Sequence, residues 1–424
     1  MERTKNPGET PVISIFTSTE RHGFHSEYSE VDELHRRLRH VAKAEGRASA
    51  THLATLHELA AAQLAACDYP GAARSFSQML LPAQLQDDRS AEMNALQGLG
   101  RALQFDGRYR EALPPLQRAL SMAEQAAGEE HLLWQCHAAI GACYQSAEDF
   151  EMAEQHLDKA LAICRCMSKQ DTESLGVCIN NLALLYEDQE RHREATPLLK
   201  QSIALAEQHS PQDKTAIVLR LAALALNLLA LDELDTAEHH ARRALAIAER
   251  HLGGNHVDTG TAVNNLALVL NQKGDAAGAE PLYRRAVQIA ENNLHAGHPQ
   301  IAISLANLGQ FLSAQDRDEE ALLYLERALA MERALHGESS VGIAICSGEI
   351  GLIQLSADRP AIAEPYLRAA CDYYGTTKPC SWEHSNCLRR LADCLEMQGR
   401  YLEALPLRTA RVEVVETLQE AAET

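Results

Sequence analysis

An alanine returns along this chain at Ala72, Ala112, Ala153, Ala195, Ala237, Ala279, Ala321, Ala363 and Ala404, at intervals of 40 to 42 residues. A period of that length marks a chain built from stacked supersecondary units, none of which can bury its apolar face alone. Two further columns keep the same register. Thirteen residues before each alanine stands Leu59, Leu99, Ile140, Leu182, Leu224, Leu266, Leu308, Ile350 or Leu391, and the next position is always Ala or Gly. Seven residues after it a second small column runs through Ala119, Ala160, Ser202, Ala244, Ala286, Ala328 and Ala370, breaking only at Met79 and Arg411 in the end repeats. Small residues at such spacings are what two antiparallel helices need where they cross closely.

Each unit reads as a first helix, a tight turn and a second helix. Only 4% of the 424 residues are aromatic while 46% are hydrophobic, so Ala and Leu supply most of the buried surface, which favours helices over sheets. The turn carries Gly107, Gly274 or Gly399 in three repeats and Glu148, Glu190, Asp232, Asp316 or Asp358 in five others, residues suited to ending one helix and capping the next. An aromatic follows at Tyr69, Tyr109, Phe150 and Tyr401 and is expected to pack at the elbow. Pro114, Pro197, Pro281, Pro365 and Pro406 fall two residues after their alanines, which places them in the first turn of the second helix, where amide hydrogens have no intrahelical partner. The connectors "GGNHVDTG", "HAGHPQIA" and "HGESSVGIA" close each second helix. The expected organisation is an arm over 1–30, which includes the β-prone run "VISIF", a lone helix over 31–47, and nine repeats over 48–424.

The segments "NNLALLY", "NNLALVL" and "AEPLYRRAVQIAE", with the connector "HAGHPQIA", resemble tetratricopeptide repeats, and among them the longer kind of kinesin light chains and many bacterial proteins. The resemblance covers residues 50 to 416 and is densest from 175 to 335. It implies an all-α fold: an α-solenoid of helix-turn-helix repeats wound into a right-handed superhelix, its concave face lined by the first helices and suited to an extended peptide or a partner's helix. No heptad-rich segment to dock a motor precedes the repeats in this sequence, so a motor-adaptor role is not expected. By the same resemblance "FHSEYSE", with Phe24 and Tyr28, is an alternative internal ligand for that groove, set against the reading of a plain tail.

Candidate binding residues follow from the register. Asn180, Asn181, Asn264, Asn265 and Asn307 lie fourteen or fifteen residues before their alanines, and an asparagine offers a peptide backbone both a donor and an acceptor. The same side chains suit bonds between neighbouring helices, and both roles stay open at this stage. Leu184, Glu187 and Asp188, then Leu268, Asn271 and Gln272, then Gln310 and Ser313, make apolar pockets edged by amides and acids. Towards the ends Arg101, Gln104 and Phe105, and then Arg389 and Arg390, change that character; the arginines suit carboxylates, or are simply solvated.

Other functions find little support. With 39 Lys and Arg against 59 Asp and Glu, the net charge of −20 argues against sequence-independent nucleic-acid binding. No apolar run approaches the ~18 residues of a membrane span, and the start "MERTKNPGETPVISIF" has no long apolar stretch. Eleven scattered cysteines read as reduced, and with the missing leader they imply a cytoplasmic protein. Neither Cys380, His384 and Cys387, nor Cys164 and Cys166, nor His295 and His298 has four-ligand zinc spacing, so no metal and no cofactor is expected. No phosphate loop, nucleophile elbow or zinc-protease helix occurs, so an enzyme is not expected either. What remains is a non-catalytic scaffold that binds a peptide or protein segment in its groove. The alternative is a regulatory sensor that switches a partner, although no output module accompanies the repeats.

Overall fold

The computed structural model describes residues 24–423 apart from 48, 67, 127, 148, 168–171, 296 and 338–339. The described residues hold nineteen helices and no strand. They divide into two compact units, meeting in sequence after His295. The earlier unit opens with α1 (Phe24–Ala44) and continues as six pairs. Their first helices are α2 (Ala50–Ala65), α4 (Arg89–Phe105), α6 (Glu130–Ser146), α8 (Thr172–Asp188), α10 (Lys214–Ala230) and α12 (Val257–Gln272). Their second helices are α3 (Tyr69–Leu85), α5 (Tyr109–Glu124), α7 (Phe150–Cys166), α9 (His192–His209), α11 (Leu234–His251) and α13 (Ala276–Asn293). The later unit has three pairs, α14 (Pro299–Ala314) with α15 (Asp318–His336), α16 (Val341–Ser356) with α17 (Pro360–Thr377), and α18 (Trp382–Met397) with α19 (Tyr401–Glu423).

Within each unit the first helices also touch one another in succession, α2 to α12 in one and α14 to α18 in the other, whereas no two second helices do so among the described residues. First helices are therefore an inner layer and second helices an outer one. Burial follows. The sequence of α10 is apolar on nearly every side, and fourteen of its residues are buried, whereas α11 buries only the stripe Ala237, Ala241, Ala244 and Ala248. That stripe repeats every three or four residues, the spacing of one helix face.

The small columns are where the layers meet. A Cβ on Gly100, Gly141, Gly309 or Gly351 would lie 2.3, 2.8, 2.6 or 2.6 Å from a side-chain carbon of Leu116, Leu157, Leu325 or Leu367 respectively. Those four leucines have at most 1% of their surface exposed. Each contributes about 1.5–3 kcal/mol by burial, and the missing glycine side chain is the space it occupies.

The elbow acids have a different role from capping. Gly107, Gly274 and Gly399 share a positive φ with Glu190, Asp232, Asp316 and Asp358, so this position ends the first helix in the left-handed conformation. The following residue begins the second helix. Asp68, Asp149 and Asp275 cap it with their carboxylates, whereas Arg108, Arg191, Arg317 and Arg400 make no cap but pair with a glutamate three residues on. The prolines correct another expectation. Pro197 is the sixth residue of α9 and Pro281 the sixth of α13, a turn later than first-turn tolerance requires. The second helix starts at its elbow, ahead of the alanine column, and both prolines are exposed, so the carbonyl that each leaves without an amide partner faces water.

Connector histidines are caps as well. His256 Nδ1 accepts from the Asp258 amide at 3.2 Å and His298 Nδ1 from the Gln300 amide at 3.1 Å, starting α12 and α14. At the N-terminus α1 starts at Phe24, ahead of the expected boundary at 31, and packs Leu34 and Val41 inward. The "VISIF" run lies outside the described residues, and so does the rest of the arm before Phe24, whereas the "FHSEYSE" segment of the internal-ligand alternative, residues 24–30, forms the opening of α1.

Candidate functional site

The inner layer carries every binding residue expected from the sequence, but many of them are occupied by the fold. Asn264 Nδ2 donates to Asn265 Oδ1 at 3.4 Å. Asn271 hydrogen-bonds the buried Tyr283 hydroxyl, whose pKa is raised chiefly by burial. The Arg101 guanidinium stands 5.8 Å over Phe105 in its own helix, and Arg389 pairs with Asp393 at 3.8 Å. Leu268 is buried, Leu184 and Asn181 are half-buried, and Asn307 is 2% exposed. Asp188 accepts from Gln145 at 2.7 Å, across the first helices of adjacent repeats.

A few polar atoms on these helices are buried with no hydrogen-bond partner: Asn180 Oδ1, Asn265 Nδ2, both carboxylate oxygens of Glu187, and Gln310 Nε2. Such atoms are costly in a folded chain and rare. Glu187 shows the consequence most clearly. Burial, and secondly the charge of Asp188, raises its pKa well above the ordinary 4.5. The native state thus holds this proton more tightly than the unfolded chain does. Stability from the group is complete below pH 4.5 and is lost as pH rises through the elevated native value. Glu187→Gln, neutral at every pH, is expected to raise the melting temperature at pH 7 to 8, by a stabilisation on the order of 1–3 kcal/mol, and to make little difference at pH 4. Melts of both proteins across that range check it; a gap independent of pH would mean the carboxyl titrates normally.

In the later unit α14, α16 and α18 enclose a hollow open to solvent. Gln310 comes from α14, Ile345 and Glu349 from α16, and Trp382, Asn386 and Arg390 from α18. Glu383, Tyr374 and Cys387 also line it. Arg390 Nη1 donates to the Gly348 carbonyl at 3.3 Å and to Glu349 Oε1 at 3.4 Å. Burial pushes the Cys387 thiol up to about 12, so near neutral pH it is a neutral thiol rather than a thiolate nucleophile. His384, the other member of that sequence cluster, bonds the Pro379 carbonyl at 2.7 Å. Among the described residues no group of three or more His, Cys, Asp or Glu is placed to hold a metal ion, and no helix is long and apolar enough to cross a membrane.

The register brought Gln310 and Arg390 forward but not their neighbours. Glu349 occupies the same column as Asn181, Asn265, Asn307 and Arg390, and was legible there. Ile345 and Asn386 lie four residues earlier, and Trp382 and Glu383 earlier still, on the opening turns of their helices. Extending the column search by one helical turn finds the first two.

The tetratricopeptide repeat family matches the chain over residues 90–165, 134–208, 214–292, 258–334 and 300–375. No curated protein matches it. Among solved structures, a Rap protein complexed with competence and sporulation factor is 13% identical, with a TM-score of 0.61 over 87% of this chain and 99% of that one. BtubC (BKLC) from P. vanneervenii is 21% identical, with a TM-score of 0.44 over 54% of this chain and 92% of that one. A putative kinesin light chain with nearly identical TPR-like repeats from Podosopora anserina is 18% identical, with a TM-score of 0.40 over 47% of this chain and 95% of that one. The likeness to the Rap protein is one of fold. Since the family match spans more than half of the sequence and the helices pair at the period it requires, the chain belongs to the tetratricopeptide repeat family.

Proposed function

We propose that this protein is a non-catalytic scaffold that holds a peptide, or an extended segment of a partner protein, on first-helix faces of its repeats. The observation that carries the reading is the buried, unpartnered polar atoms on first helices, at Asn180 and Asn265 in the earlier unit and at Gln310 in the later one. A peptide backbone supplies both the donors and the acceptors these atoms lack. The Rap protein that shares the fold was solved with competence and sporulation factor, which supports a ligand-holding use of such an array. The described cysteines are free, in keeping with a reducing compartment and so with a cytoplasmic location.

Selection of a displayed random-peptide library on the full chain tests the proposal. Selected peptides are expected to bind the Asn180→Ala, Asn265→Ala double variant about one to two decades more weakly, since each lost hydrogen bond is worth roughly 0.5–1.5 kcal/mol. Circular dichroism should show helicity unchanged, because alanine is the better helix former. Undiminished affinity in the double variant would move the binding surface away from these asparagines.

A further inference from the structure

The hollow between α14, α16 and α18 holds two carboxylates, Glu349 and Glu383, against one guanidinium, Arg390. Arg390 turns one nitrogen towards Glu349, which leaves Glu383 without an ion-pair partner among the described residues. Trp382 stands beside Glu383 with 54% of its surface exposed, although an indole of that size is ordinarily largely covered. A carboxylate in the first turn of a helix is favourable by itself, so Glu383 alone says nothing about a ligand. Gln310 does. It faces the same hollow from α14, only 7% exposed, and its amide nitrogen has no acceptor. A buried amide donor normally has one, and a carbonyl entering the hollow would supply it.

Resting on the scaffold reading above, we propose that this hollow is a subsite for a lysine or arginine residue of the bound segment: Gln310 donates to that segment's backbone carbonyl, Glu383 receives the cationic head, and the indole of Trp382 covers its stem. The chemistry of each part fits. An ammonium or guanidinium beside an exposed indole gains from the ring's negative face, and its methylene stem covers apolar surface. Ile345 and Ala344, which also line the hollow, offer apolar surface to those methylenes. The net charge of the hollow is negative, as is that of the whole chain, at −20. An acidic ligand would meet Glu349 and Glu383 on its way to Arg390, and is disfavoured.

The chain has its own reporter. Of its two tryptophans Trp134 is 7% exposed and Trp382 is 54% exposed, so quenching by a bound peptide reads mainly at the hollow. The full chain is titrated with three pools of acetylated, amidated pentapeptides, alike in their uncharged flanks and centred on lysine, norleucine or glutamate. The lysine pool is expected to change the emission saturably and to bind about tenfold or more tightly than the norleucine pool, the worth of one charge-assisted hydrogen bond. Glu383→Gln should remove that preference. Gln310→Leu should weaken the lysine and norleucine pools alike, because it removes the contact to their common backbone. Tighter binding of the glutamate pool, lost in Arg390→Met, would overturn the proposal in favour of a carboxylate subsite. A lysine preference that survives Glu383→Gln, or calorimetric binding that leaves Trp382 emission unchanged, would overturn it while leaving the scaffold reading intact. Silence from all three pools would also overturn it, and the library selection then decides the scaffold reading separately.

Discussion

Gly309→Leu is expected to destabilise the later unit by about 3 kcal/mol or more, near the upper end of the range for overpacking. A Cβ at this position lies 2.6 Å from Leu325 Cγ and 3.3 Å from the Ala321 carbonyl oxygen, so the new side chain meets both a core leucine and a backbone that cannot move independently. Leu325 has no exposed surface into which it can rotate. The effect should show as an earlier, separate transition in thermal melts followed by circular dichroism, because a repeat array loses cooperativity when one interface fails. Adding Leu325→Ala to the variant empties the space the leucine needs and should return part of the stability. If the double variant were no better than the single one, the loss would have some other cause than this crossing.

The second large effect is expected at Arg220, which is 2% exposed inside α10. Its Nη1 donates to the Ser202 carbonyl at 3.1 Å, and the Ser202 hydroxyl donates to the Gly176 carbonyl at 2.9 Å, tying α10, α9 and α8 together. Burial is the first cause that lowers its pKa to about 10, while Asp213 and then Glu173 oppose the shift. A cation that is desolvated in this way yields little net stability from its charge, while its length fills a slot that Gly176 leaves open. Arg220→Ala should therefore cost about 2–5 kcal/mol through the cavity it leaves, whereas Arg220→Met, similar in bulk and uncharged, should lie within about 1 kcal/mol of the parent or above it. Urea denaturation of the three proteins separates the possibilities. Equal losses from both variants would show that the hydrogen bonds, rather than the bulk, hold the three helices in place.

What the sequence determined alone was the arrangement of repeats. The alanine, leucine and small-residue columns specify pairs of helices at a fixed period, and each column has a single physical demand behind it: close approach, core filling or a left-handed turn. Such demands depend only on which residues recur, so they are readable without coordinates. Even the one serine in the small column, Ser202, was visible as a letter; its reason was not, because the Arg220 and Gly176 groups that it bonds lie 18 and 26 residues away on other helices. The candidate site divides along the same line. Register placed the asparagines, Gln310 and Arg390 on the first helices, since register is a local property of the chain. Whether each one is free depends on what packs against it. Asn271 lies in the expected column yet is engaged by Tyr283, whereas Gln310, three positions from the asparagine column, is left with an unpaired buried donor. Only packing brings Glu349, Glu383 and Trp382 around it, because three helices from successive repeats must converge before these side chains line one hollow. Partners and vacancies of this kind belong to tertiary contacts between residues tens of positions apart, and no column in the sequence encodes them.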